Sequence, residues 1–344
     1  MRIYKKEAKQ IILGASWFAT GGGFPLNQQE RLVDEIFVSK SFVTLKVVDN
    51  FKDNELICAA YGVGSAARTD VNLIGALKKA IVVMEGLVGR KISGFFGAET
   101  GIESMIFELC QKVDLPIVDA DCTGGRAVPE ISIDNFFVLG KQITPIVAVN
   151  LNLETLIIDG NHSGEYIESK VRLFSKKSRG SVAVLDHAVK IKDAKKSLTL
   201  STISRSLKLG EKLTDRNKNH LNYLLADLSA TLKFEGKITE ILLKDDQSGF
   251  LIGSYKVTND KQQATILVKN ENLLLTIDNQ SITSCPDLII SVDKNNLVGL
   301  HNSQLKKGRD VFIISLPATK LWCLPKSKKI FNWQRLCLSN PGTG

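Results

Sequence analysis

The stretch richest in reactive side chains is DADCTGGRAVPE, residues 119–130. Asp119 and Asp121 are separated by one alanine, so in an extended strand they face the same side. Paired carboxylates can hold a divalent cation, or one can keep the other protonated for acid–base work. Arg126 can offer two parallel hydrogen bonds to a carboxylate, and Glu130 shares its face if a helix has begun. The stretch predicts either a site or an arginine–carboxylate network that fixes a loop.

Two further segments could contribute to the same site. The first is the turn formed by Thr20, Gly21, Gly22 and Gly23. It lies between two predicted helices, and its backbone N–H groups can bind an anion or a carbonyl oxygen. The second is Glu99, which follows the apolar strand KISGFF, where α/β sheets bind ligands. The alternatives are an interhelical turn and a helix-capping loop, and no P-loop or dinucleotide fingerprint is present.

The thiols and imidazoles give weaker signals. The six cysteines are Cys58, Cys110, Cys122, Cys285, Cys323 and Cys337. They form no CxxC pair and no Cys/His grouping, so we expect reduced thiols rather than a zinc ribbon or a disulfide framework. Cys122 has no histidine near it in sequence and is interpreted as structural. His162, on a polar glycine loop, is the first choice for a functional histidine, with a turn role left open. No pattern selects His187, His220 or His301.

The composition is that of an ordinary globular protein. The 344 residues suggest two or three domains, and 44% are apolar and 24% charged. No apolar run reaches the roughly 18 residues that span a bilayer, and the N-terminus resembles an amphipathic helix, so we expect a cytoplasmic protein without a membrane segment. Residues 166–344 carry 29 basic and 16 acidic side chains. These lysines are dispersed, which favours a basic surface over nucleic-acid binding.

Strand and helix patterns alternate in the first half of the chain. The strand-like runs are FVTLKVVD, ELICAAYGV, KISGFFG, LPIVDAD, PIVAVNL and TLIIDG. Helical periodicity separates several of them, and Thr69 and Asp70 are candidate caps of one helix. From Gly236 onward short β runs dominate, up to a loose tail SNPGTG. We therefore predict an α/β domain with a mixed or parallel sheet over 1–168, and a mixed, then β-rich domain over 169–340.

Several segments occur together in a recognisable order. They are GASWFATGGGFP (14–25), GAETGIES (97–104), LPIVDADCTGGRAVPE (115–130), STISRSLKLGE (201–211), PDLIISVD (286–293) and LKKGRDVFIISLPATKLW (305–322). On these segments the chain resembles the S-methyl thiohydantoin desulfurase-like family, which is associated with hydantoinase/oxoprolinase subunits. The DAD…GRA.PE motif is the most specific element. Phe24 in the glycine run, the CTGG spacer and the C-terminal FNWQRL depart from the family pattern.

The resemblance implies an enzyme that cleaves a C–N or C–S bond of a hydantoin-like cyclic ureide or thioureide. It points to Asp119, Asp121 and Glu99 as catalytic residues. Substrate binding would fall to Thr20, Gly21, Gly22, Gly23, Arg126 and Glu130. The cofactor stays open, a divalent metal being compatible with the carboxylates, and we expect a homo-oligomer. The alternatives are a non-catalytic accessory subunit of a hydantoinase/oxoprolinase-type enzyme and a small-ligand sensor.

Overall fold

The structure is a computed structural model. It describes residues 1–38, 41–64, 72–177, 181–215, 220–246 and 248–338. The candidate helix caps Thr69 and Asp70 and the predicted tail SNPGTG lie outside these ranges.

Residues 2–190 contribute the strands of a mixed sheet of eight strands. In chain order they are β1 (Arg2–Ile3), β2 (Val43–Lys46), β3 (Leu56–Gly64), β4 (Ile92–Gly97), β5 (Ile117–Val118), β7 (Ile146–Asn150), β8 (Thr155–Ile158) and β9 (Ser181–Lys190). The short strand β6 (Ala120–Asp121) lies outside this sheet. Their spatial order is β1-β2-β5-β4-β3-β9-β7-β8. The pairs from β2 to β3 are parallel and the remaining pairs are antiparallel. The predicted mixed α/β sheet is confirmed.

Helices cover this sheet and extend beyond it. They are α1 (Lys5–Phe18), α2 (Leu26–Ile36), α3 (Ile74–Val88), α4 (Glu103–Val113), α5 (Asn135–Val138), α6 (Gly164–Lys177), α7 (Ile191–Ala194), α8 (Thr202–Thr214), α9 (Leu221–Leu228), α10 (Pro325–Ile330) and α11 (Trp333–Leu338). The helices α1 and α8 pack at very close range through two glycines. A Cβ on Gly14 would stand 1.9 Å from the Ser206 carbonyl oxygen, and one on Gly210 would stand 1.7 Å from that of Gln10. Only glycine allows the two backbones to come this close.

The second half is dominated by an antiparallel sheet of seven strands. After a short β10 (Thr199–Leu200), which pairs with β6, these are β11 (Thr231–Asp245), β12 (Leu251–Thr258), β13 (Gln263–Lys269), β14 (Glu271–Ile277), β15 (Gln280–Ser284), β16 (Leu288–Asp293) and β17 (Asp310–Leu316). Their spatial order is β15-β14-β13-β12-β11-β17-β16. The predicted β-rich C-terminal region is confirmed.

Strand β9 follows the predicted domain boundary, yet it pairs with β3 and β7 in the first sheet. Its first seven residues, SVAVLDH, are all buried, so both faces of the strand are covered. The chain therefore returns to the first sheet after residue 180, and this return brings the polar pair Asp186–His187 into the middle of an apolar layer.

The two sheets are joined by shared packing as well as by the chain. Trp17 and Phe18 at the end of α1 pack into an apolar cluster with Ile290 and Ile314 of the second sheet. The Trp17 indole N–H donates to the Leu297 carbonyl oxygen at 2.8 Å. This anchoring sets the turn after α1 against the second sheet. Among the described residues, no helix is long and apolar enough to cross a bilayer.

Candidate functional site

A cavity of about 150 Å³ lies where the first sheet, the loop after β6 and the second sheet meet. Its polar wall is formed by Glu99, Cys122, Glu130, Asp134, Arg172, Asp186, His187, Glu271 and His301. Its apolar wall includes Phe24, Leu73, Ile102, Val128 and Ile133. A concave, mostly apolar space with a few convergent polar groups is the usual form of a small-molecule site.

Two carboxyl groups from different sheets face this cavity. Glu99 lies just after β4 and accepts a hydrogen bond from the Val128 N–H at 2.8 Å. Glu271 begins β14, is buried, and its Oε2 has no hydrogen-bond partner among the described residues. Burial raises the pKa of both groups; the charge of Glu99 raises that of Glu271 further, and the charges of Asp121 and Glu103 raise that of Glu99. The pair therefore holds at least one proton near neutral pH, which makes it both a donor and an acceptor.

A second polar cluster centres on His187, whose φ is 50°. Its Nδ1 lies 2.5 Å from Asp186 Oδ1, and its Nε2 lies 3.1 Å from Asp134 Oδ2 without the alignment of a hydrogen bond. The Tyr61 hydroxyl donates to the other Asp186 oxygen at 2.6 Å. Burial works to lower the pKa of His187, but the two aspartates outweigh it and raise it to about 10.

Cys122 completes this cluster. Its sulfur atom, the His187 nitrogen and an Asp134 oxygen all lie within 4.8 Å of one another. The thiol donates to the Ala98 carbonyl oxygen at 3.1 Å. Burial raises its pKa, and the nearby charges of Asp134 and Asp186 raise it further. By itself the thiol is neutral, which does not suit a nucleophile.

Asp119 is turned away from the cavity. Its Oδ1 accepts hydrogen bonds from the N–H groups of Ile203 at 2.9 Å and Ser204 at 3.1 Å, and its Oδ2 accepts from the Ser204 hydroxyl. These donors lie in the first turn of α8, whose N-cap residue, Ser201, provides no side-chain cap. Asp119 therefore caps α8 and does not pair with Asp121.

Asp121 organises the glycine loop from inside. Its Oδ1 accepts from the N–H groups of Thr123 at 3.2 Å, Gly124 at 3.2 Å and Gly125 at 2.9 Å, and its Oδ2 accepts from the Thr100 hydroxyl at 3.2 Å. Burial raises its pKa to about 7, although these hydrogen bonds oppose the shift. It lies beside the cavity without lining it.

Arg126 is buried and donates to carbonyl oxygens instead of a carboxylate. Its Nε donates to Ala127 at 3.1 Å, one terminal nitrogen donates to the Pro286 carbonyl oxygen, and its guanidinium lies 4.6 Å from the ring centre of Phe331. Its other terminal nitrogen lies 3.5 Å from the Thr20 hydroxyl. Burial lowers its pKa to about 10. The expected arginine–carboxylate fork is wrong: no ion pair of Arg126 occurs in the described ranges.

The glycine turn is held by its carbonyl groups. The oxygens of Thr20 and Gly21 accept from the backbone N–H groups of Asn272 and Asn302, at 2.9 and 2.8 Å. The Gly23 oxygen lies 3.1 Å from Nε2 of His301, whose pKa burial lowers to about 4. All three donors belong to the second half of the chain, so the turn fastens the two sheets together. Of the turn, Gly22 and Gly23 reach the cavity wall.

Glu130 lines the cavity, and both of its carboxylate oxygens form ion pairs with basic side chains. It pairs with Lys269 at 2.7 Å and with Arg335 at 2.9 Å. Burial works to raise its pKa, but the two cations lower it overall. These ion pairs tie the loop after β6 to the second sheet and to α11.

The structure thus brings Glu99, Gly22, Gly23 and Glu130 together at one cavity, and leaves Thr20, Gly21, Asp119, Asp121 and Arg126 behind its wall. His162, the first choice from sequence, is half-buried and stacks on Tyr166, and it does not line the cavity. The sequence reasoning passed over His187, His301 and Glu271. One signal was available for the first of these: an Asp–His pair inside an otherwise apolar strand is costly unless it serves a site.

The fold and the cavity define a two-domain protein with an acid-rich cavity that is lined by both parts of the chain. Family models described as S-Me-THD-like match it throughout, the N-terminal domain over residues 6–160 and the C-terminal domain over residues 162–334. The chain belongs to this S-methyl thiohydantoin desulfurase-like family.

One solved structure shares the whole fold. It is the X-ray crystal structure of a protein from Chromobacterium violaceum, with a TM-score of 0.84 and 20% sequence identity, covering 99% of this chain and 98% of that one. At this identity the likeness shows the fold alone. No curated protein matches the chain.

Proposed function

We propose that the protein is an enzyme that binds a hydantoin-like ring in this cavity and hydrolyses a C–S or C–N bond of the ring system. The observation that carries the proposal is the pair of cavity-lining carboxyl groups, the half-buried Glu99 and the buried Glu271, with one oxygen of Glu271 left without a partner among the described residues. A buried polar atom without a partner calls for a ligand group that completes it.

A hydantoin-type ring fits this requirement because each ring edge presents an N–H beside a carbonyl or imine position. A protonated carboxyl group offers one O–H donor and one acceptor oxygen, which can pair with such an edge through two hydrogen bonds. The partner carboxyl, where ionised, can accept a second ring N–H or a water proton. Family membership supports the thiohydantoin class of ligand.

For an S-methyl thiohydantoin, the reaction is the addition of water to the ring carbon that carries the S-methyl group. The ionised carboxyl takes a proton from the water, and the protonated carboxyl donates to the ring nitrogen, which makes the carbon more electrophilic. The C–S bond then breaks, methanethiol leaves with one proton, and the ring carbon becomes a carbonyl. Water is the only co-reactant.

The test is turnover of a panel of hydantoins, thiohydantoins and S-methyl thiohydantoins, read as thiol release and as loss of the ring absorption, with calorimetric binding of each compound in parallel. Glu271→Gln keeps the shape of the side chain but cannot exchange a proton, so we expect turnover to fall by about 100-fold or more. Glu103→Gln is the matched control: Glu103 is buried with its pKa raised to about 7, but it lies outside the cavity wall.

Binding and turnover that survive Glu271→Gln would contradict the assigned role. A compound that binds but is never turned over would favour the ligand-sensor alternative. If no ring compound binds, the accessory-subunit alternative gains, and it is tested by co-purification with a hydantoinase/oxoprolinase-type protein.

A further inference from the structure

We infer that Cys122, Asp134 and His187 form a binding site for a single transition-metal ion of the Zn²⁺ class. One ligand atom from each lies within 4.8 Å of the others, and all three residues are buried in the cavity wall. Such a set needs only small side-chain shifts to surround an ion at ordinary Zn–S, Zn–N and Zn–O distances.

The groups behind these ligands hold them in place. Asp186 fixes the Nδ1 side of the His187 ring, and the Tyr61 hydroxyl fixes Asp186 in turn. This leaves Nε2 facing the cluster, which is the carboxylate–histidine–metal arrangement found behind most metal-bound histidines. Asp134 uses Oδ1 to cap α5, by accepting from the Phe136 N–H at 2.7 Å, and so presents Oδ2 to the cluster.

The charge balance also favours a cation. Asp134 and Asp186 are almost fully buried, and His187 is the one basic side chain in ion-pair contact with either of them in the part of the chain that the structure describes. Buried carboxylates need a compensating charge. A divalent ion would supply it, with the Cys122 thiol proton and the proton on His187 Nε2 leaving to solvent.

The types of ligand atom restrict which metal ion can bind here. Sulfur, imidazole nitrogen and carboxylate oxygen together suit Zn²⁺ or a similar borderline ion, whereas Mg²⁺ and Ca²⁺ prefer oxygen ligands only. Three protein ligands leave a fourth position, and the cavity is the space into which that position opens.

The experiment measures metal directly. The full-length protein is stripped with a chelator, dialysed, and titrated with Zn²⁺ by calorimetry and with Co²⁺ by absorption spectroscopy. We expect one ion per chain and a sulfur-to-cobalt charge-transfer band in the near ultraviolet. Metal binding is measured without turnover, so its outcome is independent of the proposed hydrolysis.

Variants assign the ligands. Cys122→Ser should abolish the charge-transfer band, and Cys110→Ser, which changes a buried thiol in α4, should retain it. Asp134→Asn keeps the cap on α5 through its amide oxygen and should weaken Zn²⁺ binding. Asp186→Asn removes the negative charge that faces His187 Nδ1 and the Tyr61 hydroxyl, and it should weaken Zn²⁺ binding by about 10–100-fold.

Two results would overturn the site. One is an absence of stoichiometric Zn²⁺ or Co²⁺ binding by folded wild-type protein. The other is a cobalt–sulfur band that persists in Cys122→Ser. Circular dichroism of each variant separates loss of a ligand from loss of the fold, and Asp186→Asn tests the same site without touching a ligand.

Discussion

Asp121 and Glu271 are both acids that are 2% exposed, and they differ in how their oxygens are used. Asp121 accepts three backbone N–H groups and one hydroxyl, whereas Glu271 Oε2 has no partner in the described residues. Burial raises the pKa of both, so the pKa shift alone does not separate them. An acid whose oxygens all accept hydrogen bonds from the protein stabilises the loop around it. An acid on a cavity wall with an oxygen that has no partner is a candidate for binding a ligand.

The same distinction runs through the whole DAD stretch. Asp119 is saturated by the first turn of α8, and Glu130 by two cations. Asp119 lies behind the cavity wall and Glu130 lies within it, both with their oxygens already paired, while Glu99 and Glu271 line the cavity. The stretch that looks most like a catalytic motif therefore acts mainly as the frame of the site.

The largest effect should come from removing a saturated acid. Asp121→Ala leaves three backbone N–H groups and the Thr100 hydroxyl without their acceptor. Because an unsatisfied buried donor costs about 1–3 kcal/mol, we expect the free energy of unfolding to fall by roughly 3–5 kcal/mol in chemical denaturation.

The isostere Asp121→Asn is the control. Its amide oxygen can accept the same three N–H groups and its NH₂ can donate to the Thr100 hydroxyl, so most of the stability should return. If Asp121→Ala unfolds like the wild type while turnover disappears, Asp121 belongs with Glu271 and the comparison fails.

The pH dependence of stability should separate the two kinds of acid. Burial raises the pKa of Glu99 to about 8, so the folded state favours its neutral form. The stability it contributes is present below its unfolded pKa of about 4.5 and is lost as pH rises towards 8, by up to about 1.4 kcal/mol per pH unit. Glu99→Gln should flatten this fall, measured as urea midpoints between pH 5 and pH 8.

Glu130 supplies the opposite sign. Its pKa is lowered by Lys269 and Arg335, so its contribution is present above the unfolded pKa and is lost as pH falls through the folded one. Glu130→Gln should therefore flatten the acid side of the profile and leave the pH 5–8 fall intact. If Glu99→Gln and Glu130→Gln changed the acid side and the pH 5–8 side of the stability profile equally, the pairing of each carboxyl group would not determine how stability depends on pH.

The fold was largely predictable because its signals are local. Runs such as ISGFFG in β4 and the short β segments after Gly236 carry strand patterns within a few residues. The return of β9 to the first sheet could not be predicted from the sequence, because pairing between distant strands leaves no local pattern.

The site was predictable only in part, for the same reason. Glu99 was found because it follows a strand end, where ligands bind in α/β sheets. Its partner Glu271 comes from the other sheet, and Cys122, Asp134 and His187 meet from three separate segments. Nor could sequence show that the hydrogen bonds of Asp119 and Asp121 are already taken.

The smallest expected effect tests the unsatisfied acid through its neighbour Gly22. A Cβ on Gly22 would stand 1.9 Å from Glu271 Oε1, and nothing else crowds it as closely as that carboxyl group. Gly22→Ala must therefore displace the Glu271 carboxyl group from its position in the cavity wall. Since overpacking costs about 1–3 kcal/mol and a side-chain end can move, we expect a loss of stability near 1 kcal/mol, with a larger loss of ring-compound binding.

Gly86→Ala in α3 is the matched control, because a Cβ there meets nothing within 4 Å. It should stabilise the helix by about 0.5–1 kcal/mol and leave binding unchanged. Binding by calorimetry and unfolding by urea, measured on both variants, decide the matter. If Gly22→Ala lowers stability but leaves ligand binding unchanged, then binding does not depend on the position of the Glu271 carboxyl group. A disproportionate loss of binding means that the ligand contacts the Glu271 carboxyl group.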